Sequence, residues 1–276
     1  MNFLDLFEYN FFINALLGAL FACIACGIIG TYIVIKRLVF ISGGITHASL
    51  GGLGIGFYLG INPMVSAMVF SILSAFGIEW LSSRQGVRED SAIAAFWSFG
   101  MAIGIICIYL KAGFAPNLSE YLFGNILTIT RSDIYLFVGL ATILSIVFFL
   151  FRREILYAAF DPDFAKTRNL PVKFIEYTMM FFIAVTIVLT IRLVGVVLLM
   201  SLLTIPQMTA NLYTANFSKM IFLSIFFGLI GCISGLILSA YINVPSGAFI
   251  IFVLITIYFI CRIANSLFFR KSVSAR

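Results

Sequence analysis

The sequence predicts an all-α fold, a polytopic transmembrane bundle of eight or nine helices. Hydrophobic residues make up 62% of the 276 residues and charged residues only 10%, against about 25% charged in soluble domains. Mean hydropathy is +1.14. Apolar runs of roughly 18 to 24 residues recur along the whole chain, each long enough to cross about 30 Å of hydrocarbon as helix. One transmembrane domain, residues 1–276, accounts for the sequence. It leaves no room for a soluble catalytic or nucleotide-binding domain of about 50 to 250 residues.

The first span covers residues 12–35 and ends at Lys36-Arg37. The start, MNFLDLFEYN, lacks a basic region and a small-residue cleavage site, so this span reads as a retained helix. The second, LVFISGGITHASLGGLGIGFYLG, runs back outward to a turn at Asn62-Pro63. The third, 64–81, leads to Arg84, Arg88, Glu89 and Asp90, and the fourth covers 91–110. Residues 111–133 are too polar for a lipid-facing helix and carry Gly113, Pro116 and Gly124. They predict a short external helix or a re-entrant segment, allowed where backbone is buried in protein or lines water. A fifth span, 134–151, ends at Arg152-Arg153, and a charged loop follows to Lys173. The remaining spans are 174–191, 195–213, 220–241 and 247–269, before the basic tail RKSVSAR.

The net charge of +6 comes from basic residues scattered at span ends. That pattern sets topology by the positive-inside rule and argues against nucleic-acid binding. It puts the N-terminus outside and the C-terminus in the cytoplasm for nine spans. Lys111 and Arg192 are exceptions, placed near outer helix ends where long side chains snorkel. The five cysteines, Cys23, Cys26, Cys107, Cys232 and Cys261, all lie in apolar spans. The Cys23-x-x-Cys26 pair has no second pair to complete a zinc site, and buried free thiols pack as small hydrophobes.

His47 is the only histidine. It stands about nine residues into the second span, about 13 Å deep and so near the midplane. An ionisable group at that depth faces a bundle interior, a water-filled cavity or a substrate path. Imidazole is the commonest side-chain ligand for divalent transition metals. The bland alternative is a polar group bonded to a neighbouring helix. Gly43, Gly52 and Gly56 belong to a run of small residues that permits close helix approach, which places this span in the crowded centre of the bundle.

The loop FDPDFAKTRNLPVKF carries helix punctuation. Asp161 is an N-cap, Pro162 fits the first turn, Asp163 complements the helix start, and Pro171 stops the helix. The pattern predicts a cytoplasmic helix of roughly two turns near 161–170, with Lys166 and Arg168 toward its end. Exposed Phe164 and Leu170 suit docking into a partner's groove, although an ordinary connector has the same composition.

The runs RLVFISGGITHASLGGLGIG, EYLFGNILTIT, DPDFAKTRNLPV and RLVGVVLLMSLLTIPQMTA resemble the membrane permeases of bacterial zinc-, manganese- and iron-uptake ABC transporters, distant relatives of the vitamin B12 and siderophore permeases. The resemblance covers nearly the full chain. It implies a homodimeric pore in the bacterial cytoplasmic membrane, driven by a cytoplasmic ATP-binding subunit and fed by an extracytoplasmic metal-binding protein. It makes 161–170 the coupling helix that seats on the ATPase through Asp161, Phe164, Lys166, Arg168 and Leu170. It makes the block 195–210, with Pro206, a core helix whose proline kink lines or gates the path.

By the same resemblance His47 matches a metal ligand and Asp90 an acidic position opening the fourth span. The family's usual aspartate four residues before the histidine is replaced here by Gly43. A histidine of the fourth span is replaced by Ser98, and the aspartate after YLFG by Asn125. Glu120, Asn125, Ser42 and Thr46 remain as oxygen donors, each equally at home in a structural role.

The expected function is the permease subunit of an importer for a divalent metal, zinc or manganese, with no tightly bound cofactor. The rivals are a secondary metal transporter driven by an ion gradient and a non-transport membrane scaffold. A secondary transporter normally carries intramembrane acids, and Glu79 and Glu176 sit near span ends. An intramembrane enzyme lacks support, since no HExxH, GxSxG or paired carboxylate occurs in a span.

Overall fold

The computed structural model describes residues 10–111 and 129–273. Among them are eleven helices and no strand. They are α1 (Asn10–Ile35), α2 (Val39–Leu59), α3 (Pro63–Gln85), α4 (Glu89–Leu110), α5 (Arg131–Leu150), α6 (Arg152–Phe160), α7 (Pro162–Thr167), α8 (Val172–Leu202), α9 (Ile205–Asn211), α10 (Phe217–Ile242) and α11 (Ser246–Val273). Among the described residues, nine stretches are long and apolar enough to cross a membrane. They follow the expected order, with the sixth, Val172–Ile191, drawn from α8 and the seventh, Val194–Asn211, from the end of α8 together with α9.

Local punctuation matches its chemistry. Gly60 ends α2 with φ 72°, a left-handed conformation that costs glycine least. The Asn62 side chain then accepts from the Met64 and Val65 amides, and Pro63 occupies the first turn of α3. Asn216 caps α10 in the same way, accepting from Ser218 and Lys219.

The chain divides into two compact units. The first comprises Met1–Ile35, Ser119–Ile143 and Arg192–Arg276. In it α1 packs on α10, α10 on α11, and α9 lies against all three. The expected proline kink takes a different form. The chain breaks at Leu203–Thr204, and buried Pro206 stands in the first turn of the separate helix α9. A proline there forfeits no helical hydrogen bond. Gln207 donates to the Leu202 carbonyl at 3.1 Å and to the Cys26 carbonyl of α1 at 2.8 Å, so it serves an acceptor that the break would strand. The non-helical residue inside α8 is Gly195, at φ 74° and ψ 171°, a region open essentially to glycine alone. The Cys23 thiol of α1 meets Cys232 of α10 at 3.6 Å, and both are free.

The second unit comprises Lys36–Leu118 and Leu144–Ile191. Its centre is α2, 67% buried against 17% for α4. Lipid tails give no hydrophobic reward for pairing helices, so close backbone contact must do it. A Cβ on Gly52 would lie 2.5 Å from the Ser66 carbonyl oxygen and one on Gly56 2.8 Å from Pro63 Cα, so both pack closely on α3. The other side of α2 meets α4 the same way. A Cβ on Gly51 would lie 2.7 Å from the Gly100 carbonyl oxygen and one on Gly54 2.5 Å from that of Gly104, while Gly44 abuts Ile93. These partners climb both sequences together, so α2 and α4 run parallel. Lys111, just past the end of α4, reaches the last turn of α2. It is half-buried, donates to the Phe57 carbonyl of α2 and sits 4.3 Å from that ring's centre.

Candidate functional site

The tight crossing of α2 and α4 puts His47 beside Trp97. Their rings stack with centroids 4.4 Å apart and planes 7° apart. Both residues sit about two turns into parallel helices, so they share a depth near the middle of the spans. The Trp97 indole donates to the Met101 sulfur at 3.1 Å, one turn further along α4. His47 is half-buried, and its Nδ1 is sealed from solvent with no hydrogen-bond partner among the described residues. No hydrogen bond among them therefore holds this ring nitrogen, and the indole occupies one face of the ring instead.

The other anticipated ligands are not gathered here. Gly43, one turn before His47, is buried and offers no side chain. Ser42 and Thr46 are buried, and their hydroxyls donate back to the Val39 and Ser42 carbonyls at 2.7 and 2.5 Å. They brace α2 and keep only lone pairs free. Asp90 is exposed in the first turn of α4, where a carboxylate complements the helix dipole. It lies about 10 Å along the axis from Trp97. Ser98 is exposed. Glu120 and Asn125 fall outside the described residues. Among the described residues, no three of His, Cys, Asp and Glu come together as a metal cage. One imidazole in a span can offer a passing cation weak, transient ligation, and conduction requires weak binding.

Trp97 is the residue that sequence reasoning missed. Tryptophan concentrates at membrane interfaces, so an indole in mid-span, level with the lone histidine, was the available signal.

At the basic ends of the same unit, Lys36 pairs with Glu176 at 3.2 Å, each side chain 17% exposed. Nearby Glu79 is buried at 8% exposure. The charged loop is more helical than expected. Helix α6 precedes α7, and α7 is only six residues long. Asp161 caps it as foreseen, accepting from the Phe164 amide at 2.9 Å. Phe164 is 39% exposed, meets Tyr157 edge-on at 5.3 Å and carries the Arg168 guanidinium 5.4 Å above its ring. Leu170 is half-buried. It packs on Ala158, Ala165 and Val172, because the chain turns back after α7 to start α8. Lys166 is engaged with Asp163 at 2.8 Å, and that hydrogen bond holds the aspartate below its usual carboxyl range. An apolar cavity of about 400 Å³ opens beside the loop, lined by Phe151, Leu170, Pro171, Phe174 and Phe182 with Glu154 at its wall.

Known proteins share this sequence and fold over nearly the whole chain. The profile of the ABC 3 transport family matches residues 8–265. An uncharacterized membrane protein of Synechocystis sp. is 41% identical, covering 96% of this chain and 92% of its own. The manganese transport system membrane protein MntC of Listeria monocytogenes is 34% identical, covering 94% and 93%. Among solved structures, PsaBC from Streptococcus pneumoniae in complex with Fab superposes with a TM-score of 0.81 at 30% identity, over 93% of this chain and 92% of that one.

Proposed function

The chain belongs to the ABC 3 transport family, and on that premise we propose that it is the permease subunit of an ATP-driven importer whose cargo is a divalent metal ion. His47 is the single observation that carries the metal path. It is an imidazole at mid-span, with a sealed and unpartnered Nδ1, in the most buried of the candidate spans. Its other nitrogen, Nε2, meets the cation, and the metal passes on because no second strong ligand traps it. Manganese is the first candidate, supported by relatives named as manganese transport membrane proteins. Zinc is the second, supported by its affinity for imidazole nitrogen.

ATP is hydrolysed by a separate cytoplasmic subunit that docks on α7 through Phe164. Asp161 holds α7 in shape for that contact. An extracytoplasmic binding protein delivers the metal, and two copies of this chain form the pore in the cytoplasmic membrane, N-termini outside. Thr204 and Pro206, at the break before α9, provide the point where the path is gated. The experiment is uptake of radioactive manganese and zinc into proteoliposomes holding the complete transporter, with each metal competing against the other. His47→Ala should abolish uptake while the protein still inserts and assembles. Undiminished uptake by that variant would end the proposed path.

A further inference from the structure

We propose that Trp97 is the positioning residue of the metal path, holding the His47 imidazole by stacking where other sites use a hydrogen bond. The inference rests on His47 being the path ligand. A metal-binding histidine ordinarily donates its second ring N–H to a carboxylate, carbonyl or water, which fixes the ring and raises its basicity. His47 Nδ1 has no such partner among the described residues. Left to itself, the ring would rotate between staggered rotamers. The indole prevents this, since a stack at 4.4 Å and 7° tolerates little rotation.

Stacking also suits the geometry of ligation. A metal binds in the plane of the imidazole, along the nitrogen lone pair. The indole occupies only a face of the ring, so it leaves the Nε2 edge open. The indole is itself anchored, through Nε1 to Met101 Sδ at 3.1 Å. Its distance from His47 is set by the glycine contacts of α2 and α4, where a Cβ on Gly100 would lie 2.5 Å from Ala48 Cα. A ring held this way gains orientation without the added basicity that a carboxylate partner gives. The result is a pre-aimed but weak ligand, which transport requires and storage does not.

The test uses four substitutions, with uptake read on the complete transporter in proteoliposomes and fluorescence on this full chain purified alone. The first replaces the other tryptophan by Trp80→Phe, at a site 44% exposed on α3, so that in the chain purified without partner subunits Trp97 alone reports. Adding Mn²⁺ should quench its fluorescence saturably, because a paramagnetic ion quenches an indole at short range, and His47→Ala should remove that response. Trp97→Leu should raise the KM for Mn²⁺ about tenfold, the lower end of the usual loss on removing an orienting partner, with the maximal rate within about twofold. Trp97→Phe keeps an aromatic face and should restore most of the wild-type KM.

An unchanged KM in a well-assembled Trp97→Leu transporter overturns the proposal, as does a Trp97→Phe variant no better than Trp97→Leu. Should Trp97→Leu fail to assemble, the Trp97→Phe KM and the Mn²⁺ quenching decide it alone: a Trp97 signal indifferent to Mn²⁺ overturns it. The two readings fail separately. Uptake that survives His47→Ala removes the path itself, whereas uptake lost in His47→Ala with an unchanged KM in Trp97→Leu removes only the positioning role.

Discussion

Replacing Gly54 by alanine should separate α2 from α4 and disable the path without touching His47. The added Cβ would lie 2.5 Å from the Gly104 carbonyl oxygen and 2.6 Å from its Cα. Both are backbone atoms, so no side chain can swing aside. Ordinary contact begins near 3.4 Å, so the helices must part by roughly 1 Å locally, the kind of overpacking that costs about 1–3 kcal/mol. In chains of about this size, each kcal/mol corresponds to roughly 2–4 °C in melting temperature. Gly54 is two turns from His47 on the same face of α2, so the displacement also loosens the 4.4 Å ring stack. Gly139→Ala on α5 is the control, since a Cβ there meets nothing within 4 Å. The assay is thermal unfolding in detergent, followed by Mn²⁺ uptake in proteoliposomes. Gly54→Ala should melt several degrees below wild type and transport poorly, while Gly139→Ala should match wild type in both. Equal melting temperatures for the two variants would refute the view that backbone contact sets this crossing.

Phe164→Asp should leave folding unchanged, because the ring is 39% exposed, yet abolish the stimulation of ATP hydrolysis by metal. Coupled hydrolysis at the wild-type level would count against docking through α7. Lys36→Ala leaves Glu176 without its 3.2 Å partner at low exposure. Loss of a charged hydrogen bond of this kind costs about 1.5–3 kcal/mol, so the melting temperature should fall, and Glu176→Gln in the same chain should recover part of the loss.

The charged loop shows how far local chemistry reaches. Asp161, Pro162 and Pro171 bound a helix by short-range rules, and α7 begins where those rules put it. Its length and the fate of Leu170 follow different causes. The helix stops at Thr167 because the chain must turn to begin α8, and Leu170 is drawn onto Ala158 and Val172 by that turn. Pro206 teaches the same thing. The residue predicts an interruption, but the break falls ahead of it, at Leu203–Thr204, where Gln207 can serve a stranded carbonyl.

The spans were legible in the amino-acid order because membrane crossing is a requirement on length and polarity, and both are properties of a contiguous segment. The lone histidine was legible for the same reason, as an expensive group at a computable depth. Its surroundings were not. Whether His47 meets a carboxylate, a carbonyl or an indole depends on the register between α2 and α4, helices about fifty residues apart in sequence. That register is fixed by glycine-to-backbone contacts at Gly51, Gly54, Gly100 and Gly104. A glycine announces that some backbone comes close. Only the folded chain decides which one, and so puts Trp97 over the imidazole.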